Sequence, residues 1–201
     1  MNNSYDIVVM GAGPGGYVAA IRAAQYGGSV ALIEKDKVGG TCLNRGCIPS
    51  KNLLEAARRY KILQSSSEYG FSAADISFKW EDIVAKKDGI VTRLVKGIEY
   101  LLKKNRVDLI TGNAVLADKQ SIFIEQDGKK TRISAKKIIL ATGSTPVLPS
   151  SFNVDRKNIV TSREALSWKQ LPESLIIAGG GVIGCEFAML FSSFGVDVTI
   201  V

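Results

Sequence analysis

The residues best suited to chemistry lie in one short stretch, Gly39-Gly40-Thr41-Cys42-Leu43-Asn44-Arg45-Gly46-Cys47-Ile48-Pro49-Ser50-Lys51. Four residues separate its two thiols. A disulfide needs Cα atoms within about 7 Å of each other, and a turn containing Gly46 allows that approach. A close cysteine pair serves redox chemistry or metal binding. Zinc would require two further soft ligands. The third cysteine, Cys185, stands far away in an apolar segment, and the chain has no histidine. A metal site built from this chain alone is therefore disfavoured, and a redox pair stands against two unrelated buried thiols. Three cysteines also fall short of a secreted disulfide framework.

Two glycine patterns carry a second kind of chemistry. Gly11-x-Gly13-x-x-Gly16, with Pro14 inside it, follows the apolar run Tyr5 to Met10 and opens an alanine-rich helix. The first glycine permits a tight turn, the second lets a pyrophosphate approach the backbone, and the third lets helix and strand pack closely. The helix start then offers unpaired N–H groups and a positive dipole end to phosphate. Glu34, followed by Lys35, ends the next strand about 20 residues on, where a carboxylate can accept hydrogen bonds from ribose hydroxyls. Gly179-x-Gly181-x-x-Gly184, with Ile183 inside it, repeats the pattern between Leu175–Ala178 and an apolar helix. The economical reading is two dinucleotide sites, one for FAD and one for a nicotinamide nucleotide. A structural glycine turn is the plain alternative for each.

The surrounding elements follow from periodicity. Residues 5–10, 17–26 and 29–34 read as strand, helix and strand around the first turn, which implies a parallel sheet. Residues 38–50 read as a glycine-rich stretch, with a helix over 51–64 beginning at Pro49. From Trp80 to Leu102 the apolar residues fall at three-and-four spacing, a long amphipathic helix that would form a helical hairpin over about 50–104. Residues 107–111, 121–125 and 131–134 read as a small antiparallel meander, and 137–141 as a further buried strand closed by Thr142-Gly143-Ser144. Proline and serine then gather through Pro146, Pro149, Ser150 and Ser151, which marks a domain boundary. The expected architecture is α/β. A Rossmann-like FAD-binding domain over 1–146, with three ββα layers and the meander, precedes the start of a second Rossmann-like NAD-binding domain over 147–201.

Composition sets limits. The chain has 201 residues, 46% apolar and 22% charged, an ordinary globular balance. No apolar run reaches the roughly 18–20 residues needed to span a bilayer, and the start, Met1-Asn2-Asn3-Ser4, lacks a secretory signal pattern. These features and the cysteine usage lead us to expect a cytoplasmic protein. The net charge is +7, but the basic residues are scattered over expected helix faces and turns, so no nucleic-acid partner is implied.

The thiol segment closely resembles the redox-active segment of the flavin-dependent disulfide oxidoreductases. Leu43-Asn44-Arg45 and Ile48-Pro49-Ser50-Lys51 look most like the dihydrolipoamide-oxidising branch. The glutathione and mercuric reductases usually carry valine where Leu43 and Ile48 stand. The resemblance extends through both glycine motifs and Ala141-Thr142-Gly143. It implies FAD and NAD as cofactors, Cys42 as the interchange thiol, Cys47 as the thiol against the flavin, and Lys51 beside the flavin with Glu186 as its partner. Gly40 and Thr41 would join the flavin site. Gly112-Asn113-Ala114 resembles the segment meeting the adenine, and Thr142-Gly143 the strand end near FAD. The resemblance also implies a homodimer, and dihydrolipoamide or the lipoyl domain of a 2-oxoacid dehydrogenase or glycine cleavage complex as the partner. The family's general base is a histidine of the partner subunit's interface domain. Since this chain has none, it is expected to be an amino-terminal fragment, inactive alone. A glutathione- or mercuric-type reductase and a non-catalytic dinucleotide-binding module are the alternatives.

Overall fold

The computed structural model describes residues 3–72 and 74–201; Met1 and Asn2, part of the start considered for a signal pattern, lie outside them. In chain order the elements are β1 (Ser4–Met10), α1 (Pro14–Gln25), β2 (Val30–Glu34), α2 (Gly40–Arg45), α3 (Cys47–Gln64), α4 (Trp80–Lys104), β3 (Asp108–Thr111), β4 (Asn113–Leu116), β5 (Ser121–Gln126), β6 (Lys129–Leu140), α5 (Ser162–Ala165), β7 (Ser174–Ile177), α6 (Val182–Ser193) and β8 (Asp197–Ile200). They form two compact units. The first takes residues up to Asn44 together with Val91–Thr145; the second takes Arg45–Ile90 and Pro146–Val201. No helix among the described residues is long and apolar enough to cross a membrane.

The first unit is built on a six-stranded sheet of order β3-β2-β1-β6-β5-β4. β1 runs parallel to β2 and to β6, and β2 parallel to β3. Val8, Val9, Ala31 and Leu32 are fully buried, as befits parallel strands covered on both faces. β4, β5 and β6 form the antiparallel meander. Its Ile122, Ile124 and Ile133 share one core with Val8, Met10, Ile33 and Ile110. The meander therefore covers one face of the parallel strands, which is the ββα layering expected.

Four local readings are corrected. Residues 107–111 do not belong to the meander: β3 pairs in parallel with β2, from Ala31 opposite Asp108 to Glu34 opposite Thr111. Alternation along a strand does not reveal strand direction, and the long helical segment before it supplies the crossover a parallel return needs. The third meander strand is instead β4, set off from β3 by Gly112 at φ 154°. The two strands expected at 131–134 and 137–141 are one, because β6 is shared. Ser134 faces both Ser121 of β5 and Ser4 of β1. The glycine-rich stretch holds a helical turn, α2, and the next helix begins at Cys47 rather than after Pro49; proline is tolerated in a first turn, where no intrahelical N–H is needed.

The second unit has a helical core joined to a two-stranded parallel sheet, β7 with β8. Leu53 and Ala57 of α3, Trp80 and Val84 of α4, and Leu190 and Phe191 of α6 are buried together. Phe191 is fully buried, a placement worth about 1.5–3 kcal/mol relative to exposure. Tyr60, Phe78 and Phe194 close one end, with ring centroids 4.9–5.5 Å apart.

Candidate functional site

In the first unit the expected nucleotide residues converge at the carboxyl ends of β1, β2 and β6, where α/β sheets place their ligands. Gly11 turns at φ 98°, and its N–H donates to the Ile33 carbonyl at 2.8 Å. A Cβ on Gly16 would lie 1.8 Å from the Gly11 carbonyl oxygen, so the helix sits against the turn as closely as the third glycine predicts. Pro14 opens α1 after Gly13, and no acidic residue occupies its first turn, so the positive end of the helix dipole is uncompensated. A Cβ on Gly15 would meet nothing within 4 Å, and one on Gly13 only the Gly40 Cα at 3.9 Å. The turn therefore leaves an open cradle over a helix N-terminus, and these residues fit a dinucleotide's diphosphate.

Ala141 and Glu34 border this cradle. Ala141 donates its N–H to Met10 at 2.8 Å, and its carbonyl lies 2.2 Å from where a Gly11 Cβ would be; exposed Thr142 and Gly143 follow it. Glu34 does something the sequence did not show. One carboxylate oxygen accepts the Ala12 N–H at 2.7 Å and the other the Asp36 N–H at 2.9 Å, so the acid holds the turn as well as facing its mouth. Gly112 donates to the Glu34 carbonyl at 2.9 Å. Ala114 is half-buried on β4 opposite Ile124, and Lys35 is exposed.

The segment leading to Cys42 is tied to this turn. The Gly39 N–H donates to the Ala12 carbonyl at 2.8 Å, and a Cβ on Gly40 would lie 2.6 Å from the Gly13 Cα. Asn44 donates from its amide to both the Val38 and Gly40 carbonyls at 3.0 Å. Its tie to the start of α2 was not read from sequence; an asparagine within four residues of a glycine pair was the available signal. Thr41 is exposed and Cys42 half-buried on α2.

In the second unit, exposed Cys47 is the first residue of α3. Lys51 follows one turn later on the same face, and its Nζ is ion-paired to Glu186 Oε1 of α6. The ion pair that the resemblance implies is present in the structure. Exposed pairs of this kind contribute only about 0–1 kcal/mol, so its value lies in where it fixes a charge. The second glycine motif has the geometry of the first. Gly179 turns at φ 102°, and a Cβ on Gly184 would lie 2.2 Å from the Gly179 carbonyl oxygen. Gly181, Val182 and Ile183 are exposed. The Cys185 Sγ donates to the Gly180 carbonyl at 3.3 Å. Cys42 and Cys47 stand on either side of the division between the units at Asn44 and Arg45.

The chain is similar to the dihydrolipoyl dehydrogenase of Acholeplasma laidlawii, with 46% identity over 206 residues covering all of this chain and 60% of that protein. It is 42% identical to a dihydrolipoyl dehydrogenase of Bacillus subtilis (strain 168), covering all of this chain and 44% of that protein. The chain thus spans about half the length of these relatives. Among solved structures, the Cu(II) complex of the HOCl-induced flavoprotein disulfide reductase RclA of Escherichia coli superposes with a TM-score of 0.86 at 32% identity, covering all of this chain and 42% of that one. The description of the pyridine nucleotide-disulphide oxidoreductases matches residues 5–201, and with that span and these turns the chain belongs to that family.

Proposed function

We propose that the protein carrying these residues is a dihydrolipoamide dehydrogenase. The observation that carries this reading is the fastening of the Cys42 segment to the first glycine turn through Gly39, Ala12 and the close approach of Gly40 to Gly13. It ties a thiol-bearing helix to a diphosphate cradle. The family uses FAD and NAD, and residues 1–146 and 147–201 are proposed as the FAD-binding domain and the opening of the NAD-binding domain, with a helical hairpin over about 50–104.

Cys42 accepts the substrate's sulfur and Cys47 completes the internal disulfide. Dihydrolipoamide gives up two electrons and two protons as its own S–S bond forms, and the Cys42–Cys47 bond is reduced to two thiols. When bound, FAD would supply the chemistry that carries the electron pair from the two thiols to NAD⁺, restoring the Cys42–Cys47 bond and leaving NADH and one proton. The first turn and Glu34 bind and orient the dinucleotide. Lys51 supplies a fixed positive charge, and Glu186 holds it in place. The chain contains no histidine, so a proton acceptor of that type comes from outside these residues, and the 201 residues alone should not oxidise dihydrolipoamide. The dithiol would arrive free or on a lipoyl domain of a 2-oxoacid dehydrogenase or glycine cleavage complex, with the enzyme working as a homodimer; these points rest on the family resemblance, and a cytoplasmic setting rests on the cysteine usage.

The test is NADH formation from dihydrolipoamide by the full-length protein. Activity lost in both Cys42→Ser and Cys47→Ser would support the reading. Inactivity with this dithiol, together with reduced-nucleotide-driven turnover of glutathione disulfide or mercuric ion, would favour a reductase running the other way, a reading to which the likeness to RclA lends weight.

A further inference from the structure

Lys87 lies on α4 and is only 4% exposed. Its Nζ donates to the Leu166 carbonyl at 2.8 Å and pairs with Asp88 at 2.7 Å. Leu166 is the C-cap of α5, so its carbonyl is among those a helix end leaves without an intrahelical donor. Two turns earlier on the same helix, Trp80 donates its indole N–H to the Trp168 carbonyl at 2.9 Å. The short segment after α5 is thus fastened to α4 at two points. Ala165 of α5 and Leu166 are buried in the same core as α6, and the Trp168 ring meets Phe191 of α6 at 5.4 Å. Phe191 in turn meets Phe187 at 5.8 Å, next to Glu186.

We infer that Lys87, with Trp80, is a positioning residue for the Lys51–Glu186 pair. The buried amine fixes the segment around Leu166, the Trp168 ring carries that placement to Phe191, and α6 then presents Glu186 to Lys51. Methionine in place of Lys87 would keep its length and apolar stem but leave the Leu166 carbonyl buried without a donor. The segment would leave its seat to find water, and α6 would lose the wall that sets its rotation. The inference takes its importance from the proposed place of Lys51 beside the flavin, but the contact it concerns is internal to the protein and can be read without a flavin.

The experiment is zero-length carbodiimide coupling of this chain, with the Lys51–Glu186 amide quantified by mass spectrometry. The unaltered protein should give the cross-link. Lys87→Met should lower its yield roughly five-fold or more, the low end of what one lost buried hydrogen bond does to an equilibrium. Lys87→Arg, which keeps a donor, should restore most of it. Trp80→Phe, which keeps a ring in the core and removes only the N–H, should lower the yield less than Lys87→Met and decides the matter if Lys87→Met does not fold. An undiminished yield in folded Lys87→Met, or in Trp80→Phe if the former is unfolded, would overturn the inference, as would absence of the cross-link from the unaltered chain. None of these results depends on dihydrolipoamide activity, so the proposed function can fail separately.

Discussion

The two glycine turns are nearly the same object placed in different surroundings. Gly13 and Gly181 precede helices of 12 residues each with φ of −71° and −70°, and the Gly11 and Gly179 N–H groups both reach the carbonyl at the end of the neighbouring strand, at 2.8 and 2.7 Å. Around the first turn, Ala141 crowds the position where a side chain on Gly11 would sit, and Gly13 crowds that of a side chain on Gly40; around Gly179 and Gly181 nothing lies within 4 Å. The shape of such a turn is therefore set by its own strand, helix and third glycine. What differs is the wall, which distant parts of the chain supply.

The largest effect should fall on what the turns share. Gly16→Ala and Gly184→Ala each drive a methyl into a backbone carbonyl, and both should cost about 3 kcal/mol or more, read as the loss of urea midpoint. A silent Gly184→Ala would break the likeness of the two turns. The wall should then tell them apart. Gly40→Ala, at φ 59° and 2.6 Å from the Gly13 Cα, should cost about 1–3 kcal/mol and speed alkylation of Cys42. Gly180→Ala, whose nearest neighbour would be an Ile200 methyl at 3.9 Å, should stay within about 0.5 kcal/mol. Glu34→Gln keeps the shape of the clamp but weakens the charge-assisted bond from Ala12, at about 1 kcal/mol, and should loosen flavin retention in the full-length protein.

The smallest effects are electrostatic. A hydrogen bond from Lys136, then bonds from the Ser29 N–H and hydroxyl, hold the Asp6 carboxyl well below its ordinary range. In the second unit, burial pushes Glu164 up, but the Thr161 hydroxyl and N–H outweigh it and leave the group lowered. A lowered carboxylate contributes stability above its unfolded value, near about 4, and the contribution is lost as pH falls through the folded value. Both units should hold until about pH 4 and weaken below it. Trp80 and Trp168 both lie in the second unit, so fluorescence reports that unit and amide exchange of β1 the first. Asp6→Asn should flatten the acid response of β1 and leave the fluorescence titration unchanged.

Much of the site was legible because its logic is local. Each glycine motif is decided within one strand, turn and helix; Lys51 and Glu186, 135 residues apart, were paired only by resemblance. The misreadings were non-local. The strand at 107–111 was read, but its parallel pairing with β2 depends on a crossover that the pattern within the strand cannot express. β6 was split at Ala135-Lys136 because only Ile133 and Ala135 are buried near its centre, while its continuity comes from having a different partner on each half. Lys87 is one of the scattered basic residues of the sequence; its burial is set by a carbonyl 79 residues away.

That double partnership of β6 has a consequence in time. Ser4 pairs with Ser134, about 130 residues later, and the first unit is interrupted by residues 45–90 of the second. At about 5–20 residues per second of synthesis, the amino-terminal strand waits on the order of ten seconds for its central neighbour. Until β6 arrives, β1 exposes an unpaired edge and the first turn lacks the Ala141 wall, so the nascent chain passes through a window in which a chaperone or a second ribosome's product competes for that edge.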